Sequence, residues 1–427
     1  MIKEYLKKDE IAKNGSIIFV FTLMAGFLNY VYQIYMGRTL GPEEYGTFGV
    51  LFSISYLMAI ISQTLSTSTT RFVSHYTSEN KKIGFFIIKV TKNLTIIGFI
   101  FSIIFILLRN QIADIFQLSN SSPIVILGII IFFTMISPIY DGTLRGLKKF
   151  SLLGFSGVIN ALFKLIFGIL LVILGFGVNG ALFGVVIGIG ISLIISFIFV
   201  LPQIQKNNPH DPPFDIKNYY YYSFPVLFAM MGLTMPGNID LIIVKHFFTP
   251  LDAGIYASIT ILGKIILFIS GAIGTVMFPL VVNRKNSKII LKKSLLYVLL
   301  LSGSLLLIYL LFPGIVIKIF GERYSGGENL IKVYGLAMLC FSLINIMVNY
   351  YLAIKYYRYI LMFVFFTIIE IISLIIFHNS MLEIVDVLFV ANILFLAISM
   401  VYTFKSFKNI DLKNESKSKL DVFKRIG

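Results

Sequence analysis

Twelve membrane-spanning helices in two six-helix lobes around a central cavity are what the sequence predicts, and three observations carry this. Of the 427 residues, 57% are hydrophobic and 13% charged, against roughly 45–50% and 25% in soluble domains. Apolar runs of about 20 residues, the length that crosses a hydrocarbon core, recur from Gly15 to Phe404. A turn built from proline, an acid and glycine also appears twice, 208 residues apart. A soluble protein is excluded by the first two.

Breaks rich in charge or turn residues place helix starts near Gly15, Tyr45, Gly84, Pro123, Ser151 and Asn179, then near Asn218, Asp252, Lys292, Asn329, Tyr357 and Met381. The start, Met1 to Lys13, is basic, but the following apolar run is longer than a signal-peptide core and has no small-residue cleavage site after it. It reads as an uncleaved first span. The longest connection, Pro202 to Lys217 with Pro209, Pro212 and Pro213, reads as a linker. The chain then divides into a first lobe, 1–205, a cytoplasmic linker, 206–218, a second lobe, 219–405, and a basic tail, 406–427. Cys340 lies in an apolar run and His75, His210, His246 and His378 are scattered, so neither a disulfide nor a metal site is expected.

The net charge of +16 acquires its meaning from where it sits. With the N-terminus inside, 28 of the 36 Lys and Arg fall on cytoplasmic segments and adjoining helix ends. Five, Arg38, Arg109, Lys245, Lys318 and Arg323, fall outside, and Lys164, Lys264 and Lys332 lie within spans. That asymmetry predicts a multi-pass protein of the cytoplasmic membrane with both termini cytoplasmic, and it accounts for the charge without nucleic acid. The tail, with Lys408, Lys413, Lys417, Lys419, Lys424 and Arg425, reads as a solvated end near anionic headgroups.

The first turn of the repeat is Leu40-Gly-Pro-Glu-Glu-Tyr-Gly46 and the second is Phe248-Thr-Pro-Leu-Asp-Ala-Gly254. The loop Leu147-Lys-Lys-Phe150 likewise meets Ile354-Lys-Tyr-Tyr357. Six helices is an even number, so both halves enter the membrane in the same direction, related by an axis along its normal. The segments Gly37 through Gly46, Arg145-Gly-Leu-Lys-Lys-Phe150, Gly177-Val-Asn-Gly-Ala181 and Asp240 through Pro279 resemble the polysaccharide transporter family. This includes the O-antigen flippases of the multidrug/oligosaccharidyl-lipid/polysaccharide exporter superfamily. The likeness runs from about Gly15 to Leu280. It implies a MATE-like, two-lobed V that moves a lipid-linked oligosaccharide from the cytoplasmic to the outer leaflet. The related lipid II flippases typically carry two further helices, so the polysaccharide branch fits better.

An ionisable side chain at mid-span costs roughly 2.5–3.5 kcal/mol on insertion scales, so each needs a partner, a wet cavity or a function. Lys164 and Glu370 each lie about 20 Å along their helices at 1.5 Å per residue. Lys264 is near the middle of the eighth span. Asp240 follows Pro236-Gly237, which should bend the seventh. One reading gives Lys164 and Lys264, with Arg71 at the entrance, to a pyrophosphate headgroup. A second pairs Lys164 with Glu370 as a clasp between lobes, which can coexist with the first, and a third has the lysine stem snorkel. Asp240 is either an ion-coupling carboxylate or the partner of Lys245. Asp141 reads as a local partner of the Arg145 and Lys148 loop.

The polar run Gln63 through Thr70 reads as a helix interface or a cavity wall. Asn29 and Gln33, four apart and so on one face, pose the same choice, as do Asn345 and Asn349. The 41 Phe and 23 Tyr read mostly as lipid-facing bulk and interface belt, including Tyr219 to Tyr222.

No phosphate-binding loop surrounds Gly263-Lys264, the sole Gly-Lys pair. No cofactor is expected, and an H+ or Na+ gradient or the fate of the substrate would supply the energy. Glu43 and Glu44 share one tight turn, which does not suit the paired acids of a membrane glycosyltransferase or polymerase. An ion-coupled multidrug exporter of the same superfamily is the nearest rival, and it would favour acidic cavity residues. The expected partners are a polyprenyl-linked oligosaccharide, the bilayer and other glycan-assembly membrane proteins, with the chain itself a monomer.

Overall fold

The computed structural model describes residues 2–78, 83–205, 216–282, 287–354 and 356–426. Side chains are described within those ranges from 18 to 407, except at 229, 233, 275, 278–280, 282, 357 and 406. The described residues form helices and connections, without a strand.

Helix α1 (Ile2–Ser78) covers the first two expected spans. Gly41, at φ 77° and ψ 171°, adopts a backbone that favours glycine and breaks α1 into arms 2–40 and 42–78. Next come α2 (Gly84–Leu107), a short α3 (Arg109–Ile115), α4 (Ser122–Gly146) and α5 (Phe150–Leu171). A π-turn, Val172–Phe176, with Gly175 at φ 90° and Gly177 at φ 49°, leads into α6 (Gly177–Gln205), which packs back along α5. The repeat continues with α7 (Ile216–Thr234), α8 (Ile239–Phe247), α9 (Pro250–Val282) and α10 (Ser287–Leu311). A short α11 (Pro313–Ile317) and a 3-10 turn at Glu322–Tyr324 precede α12 (Glu328–Ala353), α13 (Tyr357–Ile376) and α14 (Met381–Ile426).

Nine stretches of the described residues are long and apolar enough to cross a membrane. Two of them, Ile18–Thr77 and Phe150–Gln205, run to 60 and 56 residues and contain the reversals at Gly41 and at Gly175 and Gly177. The expected seventh span is not among the nine. Pro236-Gly237 ends α7 at Thr234, and the chain turns before α8 begins at Ile239, because proline offers no N–H and glycine relaxes the backbone.

Packing gathers the chain into two compact units: Met1–Ile261 with Gly314–Glu328, and Leu262–Pro313 with Asn329–Gly427. Of the expected linker, 206–215 lies outside the described residues, as do Lys355, Arg284, Lys285, His210 and the side chains of the tail from 408. One core of the first unit gathers Leu65, Val73, Phe86, Ile87, Val90, Ile139, Leu144 and Tyr219. In the second unit, Ser302 and Ser342 donate to the Ile266 carbonyl at 3.1 and 3.2 Å, and Tyr309 donates to that of Leu262 at 2.7 Å.

The repeat is visible as packing in the first unit. A Cβ on Gly46 would lie 2.7 Å from Gly254 N and 3.0 Å from the Pro250 oxygen, and one on Gly254 would run into the Pro42 carbonyl. Equivalent residues thus meet reciprocally, as across a two-fold axis. The next small pair continues the seam: a Cβ on Gly49 would be 3.0 Å from that of Ala257, the position 208 residues later.

Candidate functional site

The α5–α6 hairpin is drawn together by glycines. Gly180, Gly184 and Gly188 recur every fourth residue on α6, the spacing that lets membrane helices approach backbone to backbone. A Cβ on Gly184 would lie 2.6 Å from Gly168 N, and one on Gly188 would lie 2.6 Å from the Asn160 oxygen and 2.9 Å from Lys164 Cβ. The bare surface of α6 therefore backs the Lys164 stem and leaves its end to α1.

There, Lys164 Nζ donates to Asn29 Oδ1. It sits 4.8 Å from the centroid of the Tyr32 ring and 5.4 Å from that of Phe52. Lys164 is 6% exposed, and its partners among the described residues of this unit are a neutral amide and two aromatic faces, none a carboxylate. Tyr32 is itself pinned, its hydroxyl donating to the Ala181 carbonyl at 2.6 Å, and Gly168 makes room for the ring. One turn along, Tyr45 OH donates to Gln33 Oε1 at 3.2 Å. Asn29 and Gln33, expected on one face, are thus brought with Lys164 into one buried polar cradle.

Such a cradle can hold an ammonium without a counter-charge of its own. Cation–π contacts contribute about 0.5–2 kcal/mol each, and the ammonium has three donors, of which Asn29 takes one. The remainder suit an anion.

The other candidates have local settings of their own. Arg71 is exposed, its guanidinium carbon 3.9 Å above the Tyr222 ring. Asp240 is buried in the first turn of α8, and its Oδ2 accepts from Tyr256 OH at 3.1 Å. Lys245, the alternative partner for Asp240, is within electrostatic reach of Glu43. In the second unit, Asn349 donates to Asn345 O and Oδ1 at 2.8 and 2.9 Å, and Asn345 donates to Ser270 Oγ at 3.2 Å. Ser270 lies on α9, as does the half-buried Lys264, and Glu370 is 4% exposed on α13. Asp141 accepts from Ser196 Oγ at 3.2 Å.

In the run Gln63 through Thr70, Gln63 is exposed and the others pack as a helix interface. Tyr219 OH lies 3.1 Å from Thr69 Oγ1 and donates to the Leu65 carbonyl at 3.2 Å, while Ser223 donates to Ser68 at 2.8 Å. Thr70 donates to the Gly142 carbonyl at 3.2 Å. This corrects the expectation for Tyr219, which is fully buried because Thr69 and Leu65 satisfy its hydroxyl. Tyr221, at 84% exposed, behaves as expected. Tyr32, Tyr45 and Phe52 were likewise hidden within the aromatic bulk. The available signal was Tyr32 lying three residues after Asn29 and one before Gln33.

The apolar stretches and glycine reversals make this a multi-pass membrane protein, all-helical among the described residues. The inward-facing form of a multidrug resistance MATE transporter of the MOP superfamily superposes with a TM-score of 0.74 at 14% identity, over 92% of this chain and 99% of that one. The lipid II flippase MurJ in an inward closed conformation gives 0.70 at 17% identity, over 90% and 87%. Residues 11–285 match the polysaccharide biosynthesis protein family, and the chain belongs to it. A Shigella flexneri relative, provisionally named an O-antigen transporter, is 23% identical over 343 residues, covering 73% of this chain and 79% of its own length.

Proposed function

We propose that this protein is a flippase that carries a lipid-linked, pyrophosphate-bearing oligosaccharide from the cytoplasmic to the outer leaflet by alternating access, supplying surface-glycan assembly. The observation that carries the reading is Lys164: a buried amine held by an amide and two rings, none of these contacts among the described residues of its unit being a carboxylate. Charge-assisted hydrogen bonds to phosphate are among the strong ones. The family membership and the O-antigen transporter relative support the cargo class.

In this reading six-helix lobes, 1–205 and 219–405, rock about a cavity, both termini face the cytoplasm and the Gly41 end faces outward. Arg71 meets the headgroup at entry, and Lys164 and Lys264 receive it. Asp240 and Glu370 serve coupling to H+ or Na+ or pairing between lobes. Asn29, Gln33, Gln63, Asn345 and Asn349 offer neutral contacts to sugar hydroxyls. Movement of cargo, rather than bond-making on it, is the protein's work. The MATE likeness keeps ion-coupled drug export as the second reading, and the sign of the cradle's charge separates the two.

The test is transfer of a lipid-pyrophosphate oligosaccharide in proteoliposomes, followed by an impermeant outer-leaflet probe. Wild type is expected to flip the lipid, and Lys164→Met, inserted equally well, to lose about tenfold or more of the rate, the equivalent of one lost charge-assisted contact. Wild type that moves no lipid from a panel of such substrates under any ion gradient, yet exports organic cations, overturns the reading.

A further inference from the structure

The connections α2–α4 and α10–α12 hold equivalent places in the two halves, each carrying a short helix, α3 or α11, and each reaches the helix just before the recurring turn of the opposite half, α8 or the first arm of α1. From the second half, the Ile319 carbonyl accepts from Arg38 Nε at 2.7 Å, and Tyr324 OH donates to the Gly37 carbonyl at 2.6 Å. From the first half, the Ile115 carbonyl accepts from His246 Nδ1 at 2.9 Å, and Gln117 Nε2 donates to the His246 carbonyl at 3.4 Å. Arg38 and His246 are 208 residues apart, the offset of the repeat. The two contacts are therefore one contact made twice.

They are unequal. Phe320 and Tyr324, each 1% exposed, pack with Tyr45 at ring-centroid separations of 5.5 and 6.1 Å. Phe320 fills the space beside Gly37, where a Cβ would come within 2.6 Å of its Cε1, and the Arg323 guanidinium lies over Gly41. Burial keeps the Tyr324 phenol above its usual titration range, so it remains a donor. On the other side, Ile115 is 50% exposed, Gln117 is exposed, and its hydrogen bond is long.

We propose that these connections are reciprocal straps that hold the Gly41 end shut, and that release of the 314–328 strap is the step that opens it. The seam of Gly46, Gly254, Gly49 and Ala257 lies beneath the straps and separates once they let go. The inference rests on the alternating-access reading above, but its test needs no cargo.

With Cys340→Ser as background, Ala257→Cys places a thiol at a position 1% exposed, and an impermeant maleimide reports its exposure in proteoliposomes. Arg38→Ala with Tyr324→Phe, two hydrogen bonds removed, should speed labelling about tenfold, and Tyr324→Phe alone about threefold, since each such bond contributes modestly. Gln117→Ala should change it by less than about twofold, its bond being long. Equal acceleration by Gln117→Ala overturns the asymmetry. If the double variant melts at the parent's temperature and labels within about twofold of it, the latch is refuted. If the double variant is destabilised, Tyr324→Phe, which keeps the ring, decides: faster labelling supports the strap and an unchanged rate overturns it. Faster labelling in a protein that flips no lipid leaves the strap standing and removes the cargo.

Discussion

The seam at the Gly41 end and the Lys164 cradle lie in one packing unit and are held by opposite means. At the seam, backbone meets backbone through Gly46 and Gly254, and shape alone decides what fits. In the cradle a charge is buried among neutral partners, and the arrangement costs stability that a better-matched core would keep. One region is closed by shape; the other, in the proposed reading, keeps donors for an anionic headgroup.

Substitutions should pull these regions in opposite directions. The largest effect is expected from Gly254→Leu, which drives a side chain into the Pro42 carbonyl, a backbone atom that cannot swing aside. About 3 kcal/mol or more should be lost, seen as a large fall in melting temperature in detergent. Lys164→Met should cost about tenfold or more in transport, as above, yet leave the melting temperature equal or higher, because an apolar chain of similar length replaces a buried charge. A fall there would make the cradle a structural element and erase the contrast. The smallest effect belongs to Tyr32→Phe, which loses the bond to Ala181 but keeps the face under Lys164. About 1 kcal/mol of stability should go, with transport within about threefold of wild type. A greater loss of transport would assign the hydroxyl a part in binding.

Much of this was legible in the sequence, for reasons that differ by residue. Helix starts followed from apolar length, and the break before Asp240 followed from Pro236-Gly237, both local properties. Asn29 and Gln33 shared a face because helical spacing says so. The glycine reciprocity of the repeat showed only as a recurring motif, and its contact needed coordinates. The aromatic residues were unreadable because 41 Phe and 23 Tyr mask the few that turn inward, and burial of Tyr32 or Tyr219 depends on one carbonyl offered by another helix. The straps left no trace, since Tyr324 and Gly37 are 287 residues apart.

The first turns of α7 supply Tyr219 to a core whose other buried residues lie within 65–200; its hydroxyl donates to the Leu65 carbonyl and lies beside Thr69 Oγ1, and Ser223 donates to Ser68. Residues 65–200 therefore do not complete this interior by themselves: the buried ring of Tyr219 and the hydroxyl of Ser223 come from beyond the connection that follows α6. The two copies of the recurring turn motif thus do not mark off self-sufficient halves: a chain cut after α6 would leave this core without its Tyr219 ring.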